Sequence, residues 1–210
     1  IMKIAVISAN GKAGSLIVKE AIERGHEVTA IVRGENKTLA KKIISKDLFN
    51  LTKEDLQGFD AVVSAFATWS VETLEQHTSS LQYLSDLISE TDTRLLVVGG
   101  AGSLFTDESL STTISETPEF PKDYLPVANA MKNRLNELKK RNDVKWTYIS
   151  PAGDFDFESP KTGKYILSGE IFTVNDKGES FISYSDYAIA FVDEIEKGNH
   201  IKQRISVLGK

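Results

Sequence analysis

The chain has 210 residues, of which 40% are hydrophobic and 26% are charged, and this mixture excludes wholesale disorder. The net charge of −5 argues against an extended basic surface for nucleic acid. The absence of cysteine excludes disulfides, thiolate metal sites and a cysteine nucleophile.

Short apolar runs alternate with helical patterns over most of the chain. We predict strands at Ile4–Ile7, Val28–Val32, Ile43–Ile44, Ala61–Ala65, Arg94–Val98 and Trp146–Ile149. We predict helices over residues 14–24, over residues 71–89 and from Pro126 onward, the last with a buried stripe of Ala128, Met131, Leu135 and Leu138. Residues 99–122, which include many Ser and Thr, are predicted to form a long loop.

Glycine and proline divide the last 60 residues into shorter segments. Weak strands are predicted near Lys164–Leu167 and Ser180–Ile182, then a helix over residues 185–197 and a strand at Arg204–Leu208. Strands that alternate with helices imply crossover connections, so the predicted fold is an α/β, Rossmann-type doubly wound parallel sheet in three layers (α/β/α). Such folds bind ligands in the loops at the carboxyl ends of the strands.

The loop after the first strand has the spacing of a dinucleotide-binding turn of the G-x-x-G-x-x-G kind, with Ser8 in the first glycine position. Free amides near Lys12 and Ala13 can bind a pyrophosphate at the start of the helix. Gly11 lets the backbone approach the phosphates, and Gly14 lets the helix pack close to the sheet. The alternative is a strand–helix turn that binds no nucleotide. The predicted cofactor-binding residues of this turn are Ser8, Asn10, Gly11, Lys12, Ala13 and Gly14.

The loop after the second strand is expected to select the cofactor. An acidic residue here would bind the ribose 2′-hydroxyl of NAD, but the strand ends in Arg33, with Lys37 nearby. A guanidinium pairs well with a 2′-phosphate, so NADP(H) is favoured over NAD(H). Glu35 keeps NAD open as the alternative, and a solvated Arg33 is another.

Several segments, in order, carry a family resemblance: residues 2–33, 58–65, 97–104, 146–152 and 182–188, with Asp47-Leu48, residues 163–165 and Arg204-Ile205. The chain resembles the NmrA-like, NAD(P)H-binding group of atypical short-chain dehydrogenases/reductases, and within it the small bacterial proteins named as NADH-flavin reductases.

The resemblance implies a single NAD(P)-binding domain over residues 1–210, in which residues 151–185 contribute a small C-terminal cap on the substrate side. It also implies cofactor contacts: Asp47 and Leu48 by the adenine, Ala65, Phe66 and Ala67 by the ribose, and Ser150, Pro151 and Ala152 near the nicotinamide.

The Tyr-x-x-x-Lys pair that supplies a proton in typical short-chain dehydrogenases is absent. Tyr124 is followed four residues later by Ala128, and Lys132 is eight residues away, about 12 Å along a helix. This argues against sugar-nucleotide epimerases and alcohol dehydrogenases. It is compatible with a reductase that passes hydride to a flat acceptor such as flavin or quinone, and equally with an NADP-binding redox sensor that acts through a protein partner without turnover.

Further candidate residues follow the fourth and fifth predicted strands in the chain. Ser103 and Lys132 are the candidate catalytic residues, although a loop serine and a solvated lysine are the alternatives. Trp69 and Phe105 lie in ligand-side loops and are candidates for stacking on an isoalloxazine, with core or lid packing as the alternative. Asp154 and Asp156, two residues apart, are expected in an exposed loop, with a pair of acids as the alternative.

The three histidines show no ligand spacing, so no metal site is predicted. The expected ligand is a small-molecule substrate, and neither nucleic acid nor membrane is expected as a partner. With no apolar run near the ~20 residues of a membrane span and no basic leader before the first strand, a cytoplasmic location is expected.

Overall fold

The computed structural model describes residues 1–210. Its ten strands are Lys3–Ile7 (β1), Glu27–Val32 (β2), Lys42–Ser45 (β3), Ala61–Ser64 (β4), Arg94–Val98 (β5), Lys145–Ser150 (β6), Asp154–Asp156 (β7), Ile166–Ser168 (β8), Phe181–Ser183 (β9) and Gln203–Leu208 (β10). Its five α-helices are Lys12–Glu23 (α1), Lys53–Leu56 (α2), Gln76–Ile88 (α3), Leu125–Leu138 (α4) and Tyr184–Lys197 (α5).

Eight strands form one sheet in the order β3-β2-β1-β4-β5-β6-β10-β8. All neighbours in it run parallel except β8, which pairs antiparallel with β10. The order runs outward in both directions from β1, so the chain reverses its course between β1 and β4. The predicted Rossmann-type α/β fold is confirmed, and the reversal point is where such sheets bind ligands.

Helices cover both faces of the sheet because the central strands are apolar on both faces. Ile4 and Val6 of β1 pack with α1 and α5, whereas Ala5 and Ile7 of the same strand pack with α3 and α4. This alternation follows from the two-residue period of a strand. The result is the three-layer arrangement, with a hydrophobic core on each side of the sheet.

Some predicted bounds were wrong. The helix expected from residue 71 begins at Gln76, because Val71–Thr73 form a separate 3₁₀ turn in which Val71 is exposed. The short helix α2, which Thr52 and Asp55 cap, was not predicted. Asp154–Asp156, expected in an exposed loop, form the short strand β7 and pair with β9. Asp154 is exposed as expected, whereas Phe155 between the two acids stacks on Tyr184.

Residues 151–185, the predicted cap, divide between two places in the fold. The strands β7 and β9 form a separate two-stranded sheet, whereas β8 extends the main sheet at its edge. The loop over residues 99–122 contains a 3₁₀ turn at Ile114–Glu116, and a second turn, Lys122–Tyr124, begins at its end. Phe105 in this loop makes two isolated bridges: the one to Thr113 lies within the loop, and the one to Ile171 ties the loop to the segment after β8. None of the helices combines the length and the apolar character needed to cross a bilayer.

Candidate functional site

The carboxyl ends of the parallel strands open into one cavity of about 1420 Å³. Residues that follow β1, β2, β3, β4, β5 and β6 all line it, as expected for a sheet of this topology. The predicted cofactor-binding residues in this lining are Ser8, Asn10, Gly11, Lys12, Ala13, Arg33, Asp47, Leu48, Ala65, Phe66, Ala67, Pro151 and Ala152. Gly14 and Ser150 do not line it.

The turn after β1 has the conformation that its spacing predicts. Ser8 has φ 60°, the left-handed region that glycine occupies freely, so the first position of the turn keeps the backbone shape although it carries a side chain. The Ser8 amide donates to the Ile31 carbonyl at 3.1 Å, and the Gly11 amide donates to the Ser8 carbonyl at 3.1 Å. The first helical hydrogen bond joins the Ser15 amide to the Gly11 carbonyl. The preceding amides of α1 therefore have no helical acceptor and can bind an anion.

Gly14 holds the helix against the strand. A Cβ at this position would lie 2.6 Å from the Ser8 carbonyl oxygen and 3.1 Å from Ala9 Cα, both backbone atoms. Gly11 is less constrained, since a Cβ there would lie 3.4 Å from the Ser8 oxygen. The absence of a side chain at Gly14 therefore lets α1 pack directly against the backbone of Ser8 and Ala9. The close approach and the free amides fit a pyrophosphate.

Asn10 joins the two cofactor loops. Its Nδ2 donates to the Glu35 carbonyl at 2.8 Å, and its Oδ1 accepts from the Lys37 amide at 2.8 Å. Both polar groups of this side chain are therefore used within the protein. The Asn10 side chain therefore fixes the loop that follows Arg33, and Asn10 also lines the cavity.

Arg33 reaches into solvent at the mouth of the cavity. Its side chain is 83% exposed, and its Nη1 lies 4.0 Å from Asp47 Oδ2. Asp47 Oδ1 accepts from the Phe49 amide at 3.0 Å and so caps the 3₁₀ turn that begins at the buried Leu48. An exposed pair at this distance is weak, so the Arg33 guanidinium remains available to an anion.

A buried polar cluster that the sequence did not indicate lies beneath the middle of the cavity. Arg134, 2% exposed, donates from Nε to the Tyr148 hydroxyl and from Nη2 to the Val98 carbonyl, both at 3.0 Å. Its Nη1 lies 3.3 Å from His77 Nδ1, and His77 Nε2 lies 2.8 Å from the Thr68 carbonyl. Because arginine only donates, Nδ1 accepts and Nε2 carries the proton, so His77 is neutral. Burial, helped by the Arg134 charge, lowers the pKa of His77 from its ordinary value.

This neutral histidine predicts a pH dependence of stability. Because the folded-state pKa of His77 lies below 6.5, the unfolded chain takes up the proton first, so the free energy of unfolding decreases as the pH falls below about 6.5. We expect His77→Gln to flatten this decrease between about pH 7 and pH 5. Urea unfolding at several pH values checks it, and an unchanged slope in the variant would contradict it.

A second buried cation lies behind Ser103. The fully buried side chain of Arg204 donates from Nη1 to Ser103 Oγ at 2.8 Å and to Ser150 Oγ at 3.3 Å. Its Nη2 donates to the Ser103 carbonyl at 2.9 Å and to Glu170 Oε2 at 3.1 Å. Ser103 Oγ makes no other hydrogen bond within the protein, so its own proton is free to donate into the cavity that it lines. Ser150 is fully buried and does not line the cavity.

The structure does not bring Lys132 to the cavity. Met131 and Arg134 on the same helix line it, whereas Lys132 Nζ lies 3.4 Å from Glu116 Oε1. Neighbouring helical residues point about 100° apart, which turns Lys132 away. Tyr124 lies just before α4 and lines the cavity, so Tyr124 and Lys132 do not form the proton-donating pair of typical short-chain dehydrogenases.

Aromatic side chains frame the remaining part of the cavity. Trp69 lines it, as does Tyr124, and the two ring centroids lie 6.1 Å apart. On the side of β7, Phe155 stacks on Tyr184 at 3.7 Å, and both line the cavity. Phe105, the other candidate for stacking, does not line it, because its backbone is bonded to Glu170 and Phe172. No three His, Asp or Glu side chains converge as a metal would require.

A doubly wound sheet with a glycine-containing anion turn after β1 defines a nucleotide-binding α/β protein. The family model described as NAD(P)H-binding matches residues 8–196. The chain belongs to this NAD(P)H-binding family, within the NmrA-like atypical short-chain dehydrogenases/reductases.

Relatives share the whole length of the chain. The uncharacterized protein YwnB of Bacillus subtilis is 46% identical over 211 residues, which cover 100% of this chain and 99% of YwnB. A crystal structure from Streptococcus pneumoniae, provisionally named an NADH-flavin reductase, is 57% identical, with a TM-score of 0.98 and 100% of both chains covered. A Bacteroides thetaiotaomicron structure, provisionally named an epimerase, is 34% identical, with a TM-score of 0.87. The match covers 100% of this chain and 97% of the Bacteroides chain.

Proposed function

We propose that this protein is an NAD(P)H-dependent oxidoreductase that passes hydride to a flat acceptor such as a flavin or a quinone. The observation that carries the proposal is one cavity that joins the anion turn after β1 to exposed aromatic side chains and lacks the Tyr–Lys pair. The name of the Streptococcus pneumoniae relative agrees with it. We also propose that residues 1–210 act as a single domain with residues 151–185 as its cap, located in the cytoplasm, which the absence of cysteine favours.

The residues around the anion turn fit a nicotinamide dinucleotide. The amides at the start of α1 would hold the pyrophosphate, Arg33 and Asp47 would lie at the adenosine end, and Pro151 and Ala152 would lie at the nicotinamide end. When bound, NAD(P)H supplies a hydride from its nicotinamide ring. Ala65, Phe66 and Ala67, which also line the cavity, would contact the ribose of the bound cofactor.

The chain itself offers a hydrogen bond to the acceptor and leaves protonation to solvent. The Ser103 hydroxyl, held by Arg204, would donate to an oxygen or nitrogen of the acceptor. A flavin or quinone that receives the hydride spreads the charge over its rings, so its product can take the balancing proton from water. This is why the missing Tyr–Lys pair does not prevent the reaction.

Removing the Ser103 hydroxyl tests this role. We expect Ser103→Ala to lower kcat/KM for the acceptor about tenfold, because one hydrogen bond to developing charge is lost. The NADPH dissociation constant should stay within about twofold. Ser109→Ala, in the exposed part of the same loop, is the matched control and should leave kcat/KM unchanged. Equal rates in both variants would remove Ser103 from the proposed reaction.

Arg33 is the proposed determinant of NADP(H) preference. We expect Arg33→Ala to weaken NADPH binding about tenfold and to leave NADH binding unchanged, because only NADPH carries the 2′-phosphate. Lys41→Ala, an exposed lysine outside the cavity lining, controls for a general change in charge. Isothermal titration with both cofactors measures the ratio of affinities. An unchanged ratio in Arg33→Ala would contradict the assignment.

Steady-state oxidation of NADPH and NADH with a panel of riboflavin, FMN, FAD and quinones tests the function as a whole. We expect saturable turnover at about 1–10³ s⁻¹ with NADPH and at least one flat acceptor. Measurable cofactor binding with no turnover for any acceptor would contradict the proposal and favour a redox sensor.

A further inference from the structure

Three aromatic side chains, Trp69, Phe120 and Tyr124, form what we call the aromatic rim along one wall of the cavity. Tyr124 joins the other two, with ring centroids 6.1 Å from Trp69 and 6.2 Å from Phe120. Trp69 is 59% exposed and Tyr124 is 45% exposed, although both are large and partly apolar. Exposed aromatic faces on the wall of a cavity offer stacking energy to a flat ligand.

The backbone beneath the aromatic rim is held in place. The Thr68 carbonyl accepts from His77 Nε2 at 2.8 Å, and the Thr68 hydroxyl is bonded to the Thr73 hydroxyl. The Thr73 amide donates to the Ser70 carbonyl at 3.0 Å, which closes the turn that directly follows Trp69. Because this segment is already ordered, a ligand that stacks on Trp69 loses little binding energy to ordering it.

Positive charge lies over the other half of the sheet. Lys12, Arg33 and Lys46 line the cavity beyond β1, β2 and β3, whereas the aromatic rim follows β4 and β5 in the chain. The remaining cation in the lining is Arg134, which is 2% exposed and has all three nitrogens bonded within the protein. The lining near the aromatic rim therefore offers no free cation to a phosphate.

The surroundings of the aromatic rim are acidic. Glu72, Glu119 and Asp123 are exposed residues within three positions of a rim residue, against a single lysine, Lys122, which does not line the cavity. We propose that the aromatic rim is the binding site of the electron acceptor and that it selects a flat molecule without an anionic tail. The acceptor is then a quinone or an unphosphorylated flavin in preference to a flavin phosphate. This inference rests on the proposed function for the acceptor's role.

Intrinsic fluorescence can test this site without any turnover, because the chain has only two tryptophans. Trp146 is 3% exposed and its indole nitrogen makes no hydrogen bond, so Trp146→Phe removes no bond and leaves Trp69 as the sole reporter. Riboflavin and FMN, which share one ring system and differ by a phosphate, are the probes. If this variant does not fold, the difference between wild type and Trp69→Phe gives the same signal.

We expect riboflavin to quench Trp69 with a dissociation constant equal to or below that of FMN. Tyr124→Ala should raise the riboflavin dissociation constant about tenfold, and Tyr124→Phe, which keeps the ring, should stay within about twofold. Salt-sensitive binding of FMN at least tenfold tighter than riboflavin would overturn the inference, as would the absence of quenching by both.

The acceptor-binding site and the reductase activity can fail independently of each other in these experiments. Quenching at Trp69 without any NAD(P)H oxidation supports the binding site and contradicts the reductase. Turnover whose acceptor KM is unchanged in Tyr124→Ala supports the reductase and overturns the site.

Discussion

Gly14→Ala is expected to weaken NADPH binding about a hundredfold. The added Cβ would lie 2.6 Å from the Ser8 carbonyl oxygen, which belongs to the backbone and cannot rotate away. The turn must shift to relieve this contact, and the amides at the start of α1 then lose their alignment with the pyrophosphate. Each hydrogen bond to a charged group contributes about 1.5–3 kcal/mol, so losing one or two accounts for this effect.

The same substitution should lower the free energy of unfolding by about 1–3 kcal/mol, as overpacking does elsewhere, which leaves the protein folded. Gly169→Ala is the matched control, because a Cβ there meets nothing within 4 Å. Isothermal titration with NADPH and urea unfolding of both variants separate binding from stability. Wild-type affinity in Gly14→Ala would mean that this turn does not hold the cofactor.

Arg94→Met is expected to have the largest effect on stability, a loss of about 3–5 kcal/mol. Arg94 Nη2 lies 2.8 Å from Glu194 Oε2, and the two side chains are only 9% and 5% exposed. The same arginine also donates to the Glu194 carbonyl and to Thr147 Oγ1. Methionine fills much of the space but leaves a buried carboxylate with His200 as its remaining partner.

A neighbouring ion pair provides the control for this prediction. Lys145 Nζ lies 3.0 Å from Asp92 Oδ1, but both side chains are well exposed, so Lys145→Met should cost less than about 1 kcal/mol. Both changes lie at the amino ends of their strands, away from the cavity, and should leave NADPH binding unaltered. Similar unfolding midpoints in urea for the two variants would contradict the importance of the buried pair.

Local patterns in the sequence predicted the parts of the site that depend on local geometry. The turn from Ser8 to Gly14 is specified by neighbouring residues, and its position between a strand and a helix was readable from hydrophobic periodicity. The doubly wound arrangement followed from the rule that crossovers are right-handed and short. The departure at Ser8 was also visible, and the structure shows how it is accommodated, with φ at 60°.

Side chains whose burial depends on distant segments were not predictable in the same way. From the sequence alone, Arg134 would be predicted to be an exposed helical residue. In the structure it is hydrogen-bonded to Tyr148 and His77, which come from other elements. Arg204 is 101 residues from Ser103, which it contacts. For Arg134 the sequence offered one signal: on α4 it lies between Met131 and Leu138, within a stripe that is otherwise apolar. Lys132, by contrast, was selected by its type, and the helical phase turns it away from the cavity.

Single-turnover reduction of riboflavin, with oxygen excluded and the protein in excess, tests the central claim most directly. NADPH carrying deuterium at the transferable position of its nicotinamide is compared with unlabelled NADPH. We predict that each NADPH oxidised reduces one riboflavin, and that deuterium slows the step. The same experiment is repeated with a quinone in place of riboflavin. If NADPH and the acceptor bind and no reduction follows with either acceptor, the protein binds the cofactor without acting as a reductase, and the proposed function is contradicted.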